Sequence, residues 1–343
     1  SDFDISPFSP LGEGFIDNIR GYVSGSANIK GEVNNPQFNG ILTLDNAGIG
    51  IPYLNVNYSF APGSRVNLFD QTFDFDRIAL TDISEKTKAM LDGTISHSFF
   101  DDWQLDLNVD TRGDRLLILN TELEEESLYY GTGFLKGKGR IYGSTKALNI
   151  DVEGETARGT SLKIPLSDVV SVGDYSFINF ISKRDIDSLG TTKVLDEVQG
   201  LQLEFELDIT KDAEVQIVTD VETGSTLKGT GEGPMLIRID TRGLFEMFGE
   251  FNVVTGEFDY KFGNIINKKF TVKPGGSISW NGPPLGATLN MEAVYGLNAN
   301  PAPLLDNAGY SRKIPTDVVI KLSEQLEKPK IDFEIEFPGT NSI

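Results

Sequence analysis

The residues most able to do chemistry in this 343-residue chain are 51 Asp and Glu, 30 Lys and Arg, a single His and no Cys. Acid–base and nucleophilic catalysis need particular pairs from that stock. His97 lies between Ser96 and Ser98 with no nucleophile elbow near any serine, and without cysteine the Ser-His and Cys-His arrangements lack their parts. A glycosidase needs two carboxylates at fixed separation in a cleft, a pattern that so many acids cannot single out. The short motifs fail in the same way. Gly131-Thr132-Gly133-Phe134-Leu135-Lys136 opens like a dinucleotide fingerprint, but its sixth position is Lys and no helical pattern follows. Gly131 to Lys138 has five residues between its glycines, and Gly139 stands where a P-loop has Ser or Thr. Asp106, Asn108 and Asp110 start like a calcium loop, yet Leu117 occupies the position of the bidentate Glu. Strand residues and strand-edge glycines account for all of these. The chain reads as a non-enzyme with no cofactor and no metal.

Period-2 alternation recurs from end to end and is the mark of half-buried strands. It is clear in Val23, Ala27 and Ile29; in Leu54, Val56, Tyr58 and Phe60; in Leu105, Leu107 and Val109; and in Leu203, Phe205, Leu207 and Ile209. It continues through Phe258, Tyr260 and Phe262, through Leu289 and Met291, and through Phe333, Ile335 and Phe337. The alternate positions are polar and often acidic, as in Gln202, Glu204, Glu206 and Asp208 or Asp332, Glu334 and Glu336. One wet face and one dry face imply a mainly antiparallel sheet. Lys273-Pro274-Gly275-Gly276 has the chemistry of a type II turn and is expected to join Phe270/Val272 to Ile278/Trp280. Asn281-Gly282-Pro283-Pro284 is a second expected turn, making a meander with the first.

The organisation expected is a β segment over 1–160, an irregular joint over 161–200 with one short helix at Thr192 to Val198, and a second β segment over 201–343. Such a chain, all-β with very little helix, holds about 20 to 25 strands of ordinary length. Its dry face must be covered sheet on sheet, by barrel closure, or by something outside the chain. Stacked at about 4.8 Å, that many strands would extend on the order of 100 Å. A net charge of −21 repels phosphate backbones, so nucleic acid is a poor partner. The chain starts at Ser1 without Met or a signal-like stretch, and it is expected to be a fragment whose membrane anchor lies outside it.

Gly256 to Phe270, continuing through Gly275-Gly276-Ser277-Ile278-Ser279-Trp280-Asn281-Gly282-Pro283, resembles the C-terminal domain of the TamB family, in the flavour of its Bacteroidota branch. Gly229-Thr230-Gly231-Glu232-Gly233, Thr241-Arg242-Gly243 and Met247-Phe248-Gly249-Glu250 are similar to the same family, as is Asn46 to Leu54. Pro284 and Asn290 stand where that pattern has acidic residues. The resemblance implies an elongated, twisted, apolar-lined trough, the β-taco, in a protein of outer-membrane biogenesis tethered to the inner membrane and spanning the periplasm. It implies phospholipid and an Omp85-type barrel, TamA or the lipidated TamL, as partners, with lipid transport or protein insertion into the membrane as the role. Leu203, Phe205, Leu207, Phe258, Tyr260, Phe262, Leu289 and Met291 are then candidates to line a lipid groove, or to pack two sheets as a closed core. Phe333, Ile335 and Phe337 are candidates for docking by strand addition.

Overall fold

A computed structural model describes residues 2–7, 16–32, 35–99, 101–123, 129–165, 200–220, 224–240, 243–262, 265–305 and 312–338. Those residues are nearly all strand. The first half holds β1 (Phe3–Asp4), β2 (Asp17–Glu32), β3 (Asn35–Ile51), β4 (Val56–Phe60), β5 (Arg65–Asp70), β6 (Thr72–Asp82), β7 (Lys88–Ser98), β8 (Asp101–Asp110), β9 (Leu116–Thr121), β10 (Tyr130–Ser144), β11 (Ala147–Thr156) and β12 (Ser161–Pro165). The second holds β13 (Gln202–Ile209), β14 (Glu214–Asp220), β15 (Ser225–Asp240), β16 (Phe245–Phe262), β17 (Ile266–Val272), β18 (Ser277–Gly282), β19 (Thr288–Ala299), β20 (Ile314–Gln325) and β21 (Lys330–Glu336). All belong to one sheet. The expected helix at Thr192 to Val198 lies outside the described residues, and the first five residues of the expected joint form β12.

Five pairs of strands lie end to end, each pair serving as one strand against shared neighbours. These are β4 with β5, β8 with β9, β11 with β12, β13 with β14, and β17 with β18. Among the described residues twenty-one strands less five leave sixteen lines, which extend roughly 70 Å rather than the expected 100 Å. The Pro274–Gly275 turn is corrected in the same way. Its chemistry holds, with Gly275 at φ +93°, but the chain leaves it still travelling along β16, and β17 does not fold back on β18. Pairing sums rise from 528 (Phe258 with Phe270) to 529 (Phe251 with Ile278), so the break inserts one extra residue against β16. The second expected turn is a true reversal, since Ile278 pairs with Leu289 beyond a 3-10 turn at Pro284–Gly286.

The five breaks line up across the sheet. Ala61 donates to the Ala79 carbonyl, Thr111 to Gly137, Ala157 to Phe134, Glu214 to Thr160, and Val253 to Gly276. The ladders are irregular near the same level, on β6 between Phe75 and Ile78, in the β9–β10 ladder at Gly133/Phe134, where β9 carries the extra residue Ile118, and in the β15–β16 ladder at Thr230/Gly231. A row of bulges bends a sheet. The result is a crease along the long axis with a wall on either side. Threonines hold it together: Thr111 Oγ1 accepts from the Gly137 N–H at 3.0 Å, Thr160 Oγ1 from the Phe134 N–H at 3.0 Å, and Thr156 Oγ1 from the Thr210 N–H at 2.9 Å.

Antiparallel pairing prevails, with two exceptions: β11 runs parallel to β13 and β12 parallel to β14. Both stand where the chain leaves β12 at the rim of one wall and re-enters β13 at the rim of the other. A parallel pair needs such a long return.

Thr160→Val keeps the shape but leaves the Phe134 N–H without its acceptor. It is expected to cost roughly 1 to 2 kcal/mol in denaturant melts, whereas Thr160→Ser retains the bond and loses less.

Candidate apolar trough

Because side chains alternate, in-register neighbours on every strand put the same face inward. On one wall this aligns Leu42, Val66, Phe75, Gly93, Leu107, Ile141, Ile150, Leu203, Ile239 and Phe245, each opposite the next. The row one position over reads Asn67, Asp74, Thr94, Asp106, Tyr142, Asn149, Gln202 and Asp240, and faces outward. The other wall carries Ile164, Ile217, Leu227, Phe258 and Phe270 in a second apolar ladder.

The crease folds the two dry faces together. Ile217, Phe258 and Phe270 of one wall share a buried cluster with Met235, Met247 and Trp280 of the other. The space left between them near the crease, lined by residues such as Val215, Phe251, Val272 and Met291, is a cavity of about 20 Å³, room for one water. Of the groove candidates, Leu203, Phe258, Leu289 and Met291 are buried and Phe205, Leu207 and Tyr260 half-buried. Phe262 is a strand residue whose side chain lies outside the described residues. The candidates fall into two clusters, Leu203 and Phe205 in the first half's core and Phe258, Tyr260, Leu289 and Met291 in the second's, and the wall ladders join them.

The ends differ from the middle. On β2 the inward Ile29 is 66% exposed, and on β21 the inward Phe333 and Ile335 are 57% and 42% exposed. Phe337 follows β21 and is half-buried. Among the described strands β21 pairs with β20 alone, which leaves its other edge free for a further strand.

The polar residues fit a closed core and a wet exterior. Asp106, Asn108 and Asp110 sit on β8, and Arg140 pairs with Asp106 at 3.0 Å across the outer face. Arg238–Glu204 at 2.8 Å and Lys273–Glu292 at 2.9 Å continue the pattern. Such exposed pairs add little stability and serve solubility and register. His97 is a strand residue of β7, as expected, buried against Trp103 and Phe73 with ring centroids 4.7 and 5.8 Å away. Burial pushes its pKa below the ordinary value. A half-buried tyrosine pair had no sequence signal, its members being 76 residues apart: Tyr53 and Tyr129 share a 2.9 Å hydrogen bond, and desolvation raises both phenol pKa values.

A description of the TamB C-terminal domain matches residues 76–342, which is 267 of 343 positions. The chain belongs to the TamB family. The TamB match starts within β6 and runs beyond β21, taking in most of both walls. No curated protein matches the chain. TamB membership brings a setting in the cell envelope, partnership with outer-membrane proteins, and a general role in the translocation-and-assembly-module and lipid-transport context, in a family known for non-enzymatic transport and assembly. Among the described residues no helix is long and apolar enough to cross a membrane.

The depressed His97 pKa means that the unfolded chain binds the proton more readily than the folded one. Stability is therefore expected to be full above the unfolded value of about 6.5 and to fall as pH drops from there toward the folded value. Thermal melts between pH 7.5 and 5 check this, and His97→Phe, which keeps an aromatic ring beside Trp103, is expected to flatten that part of the profile.

Proposed function

We propose that this chain is part of a non-enzymatic periplasmic bridge, tethered to the inner membrane and reaching the outer membrane, that carries phospholipid acyl chains along its apolar interior. The observation that supports this reading is the wall ladder from Leu42 to Phe245, an apolar row maintained across ten strand lines with a polar row beside it. A chain sliding along that row exchanges like for like at each step. Leaving it for water costs about 0.8 kcal/mol per CH₂. Headgroups stay at the mouth in water, and the acidic exterior keeps the body soluble. The exposed inward residues at Ile29 and at Phe333 and Ile335 suit loading and delivery at the two ends.

A second reading, assembly of outer-membrane proteins together with an Omp85-type barrel of the TamA or TamL kind, is favoured by β21. Its free edge and exposed Phe333 and Ile335 suit addition to a partner strand. Transport and docking are compatible, since the ladder from Leu42 to Phe245 includes no residue of β21.

Photo-crosslinkers at Leu203, Phe258 and Met291 are expected to capture phospholipid in cells, while the same group at the outward Glu206 and Asp208 captures none. Equal capture at inner and outer positions, or protein adducts alone, would sink the transport reading. For docking, truncation before Lys330 removes β21 but leaves β20, whose Val319 and Ile320 are fully buried. Co-purification with the barrel is expected to be lost and lipid capture kept; a truncated chain that still binds the barrel rules out β21 as the docking strand.

A further inference from the structure

Near the crease of the second half the two walls pack against each other and the space between Val215, Phe251 and Met291 is a cavity of about 20 Å³, so entry of an acyl chain there requires the walls to part. They cannot part at the crease, where backbone hydrogen bonds and buried threonine hydroxyls join strand to strand. They can part at the mouth, with the crease as the hinge. The turns there suit that role, because Pro62–Gly63 and Pro274–Gly275 interrupt the ladders, with both glycines at positive φ, +75° and +93°.

At the mouth, among the described residues, an aromatic contact bridges the walls. Tyr53 follows β3 and Tyr129 precedes β10, both on the rim of one wall, where their hydroxyls meet at 2.9 Å. Phe245 opens β16 on the rim of the other wall, and its ring meets the Tyr129 ring edge-on at a centroid distance of 6.1 Å. All three join the cluster that holds Leu203 and Ile239. The contact lies as far from the crease as the walls extend, where the leverage for opening is greatest. Its chemistry is also suited to opening. The two hydroxyls satisfy each other inside an apolar cluster, and on opening each can turn to water instead, so separation strands no polar group.

We propose that Tyr53, Tyr129 and Phe245 form a latch across the mouth of the trough, and that release of this latch about the crease admits acyl chains to the middle section. The latch itself stands on geometry; its role in admission rests on the transport reading above.

The chain lacks cysteine, so spin labels go only where cysteines are introduced. Lys163→Cys on β12 and Gln202→Cys on β13 place labels on the outer faces of opposite walls. Pulsed electron-spin distance measurement is expected to give one short distance in the otherwise native chain and a longer one in Tyr129→Ala. Tyr53→Phe with Tyr129→Phe, which keeps both rings, is expected to shift part of the population and decides the matter if the alanine variant fails to fold. An unchanged distance in the folded variants overturns the latch. For admission, Tyr129→Cys and Phe245→Cys are joined by a bismaleimide, with a photo-crosslinker at Leu203 and vesicles of phosphatidylethanolamine and phosphatidylglycerol. Joining is expected to abolish lipid adducts that the unjoined protein forms; equal adducts in both overturn admission through the latch. Absence of adducts from both joined and unjoined protein overturns the transport reading and admission with it, while the spin-label distances still decide the latch.

Discussion

A sheet with one dry face must bury that face, and the described residues hold almost no helix to lay over it. The rest of the structure follows from how the debt is met: the sheet is creased along its length and its dry face is packed on itself. Ile217, Phe258 and Phe270 on one side of the crease therefore share a core with Met235, Met247 and Trp280 on the other. A barrel would have removed the sheet's edges as well. The crease leaves them, at β21 above all, and so leaves ends at which the interior row meets solvent.

Creasing a sheet threatens both its hydrogen bonds and its alternation. A one-residue slip turns every later side chain to the wrong face. The crease controls that slip locally. On β16 the inward residues are Met247, Phe251 and Val253 before the bend and Phe258 after it, the change from odd to even following the extra residue at Val254 against β15. Backbone groups freed by the breaks are taken up by neighbouring carbonyls and by Thr111, Thr156 and Thr160. The irregular residues are thus what allows the regular ones to keep a single apolar face on both walls.

The same architecture separates the ion pairs from the apolar interior. Arg140–Asp106 and Arg238–Glu204 reach across strands on the outer face, and among the described residues few polar side chains are buried. Asp82 accepts from the Ser84 and Glu85 N–H groups in its own turn, and Tyr58 donates to the Leu117 carbonyl at 2.6 Å. Apolar walls gain more from each other than from water, which is why the two dry faces pack together.

Sequence alone determined the strands, the identity of the two faces and the family likeness, since each depends on neighbours within a few positions. Leu203, Phe205 and Leu207 alternate with Glu204 and Glu206 whatever the strand pairs with, and the run from Gly256 to Trp280 is distinctive as a string. Tertiary structure decided whatever depends on which strands are neighbours. Pro274–Gly275 has the residues of a hairpin turn, but β16 continues past it as a single template, so the turn became a break in one strand and the sheet shorter than its strand count suggested. The ladder from Leu42 to Phe245, and the meeting of Tyr53 with Tyr129, join residues far apart in the chain through register, which no local pattern encodes. Whether the dry face stood open or closed was likewise beyond alternation. Period 2 says that a face is apolar, and only the crease says that the face meets itself.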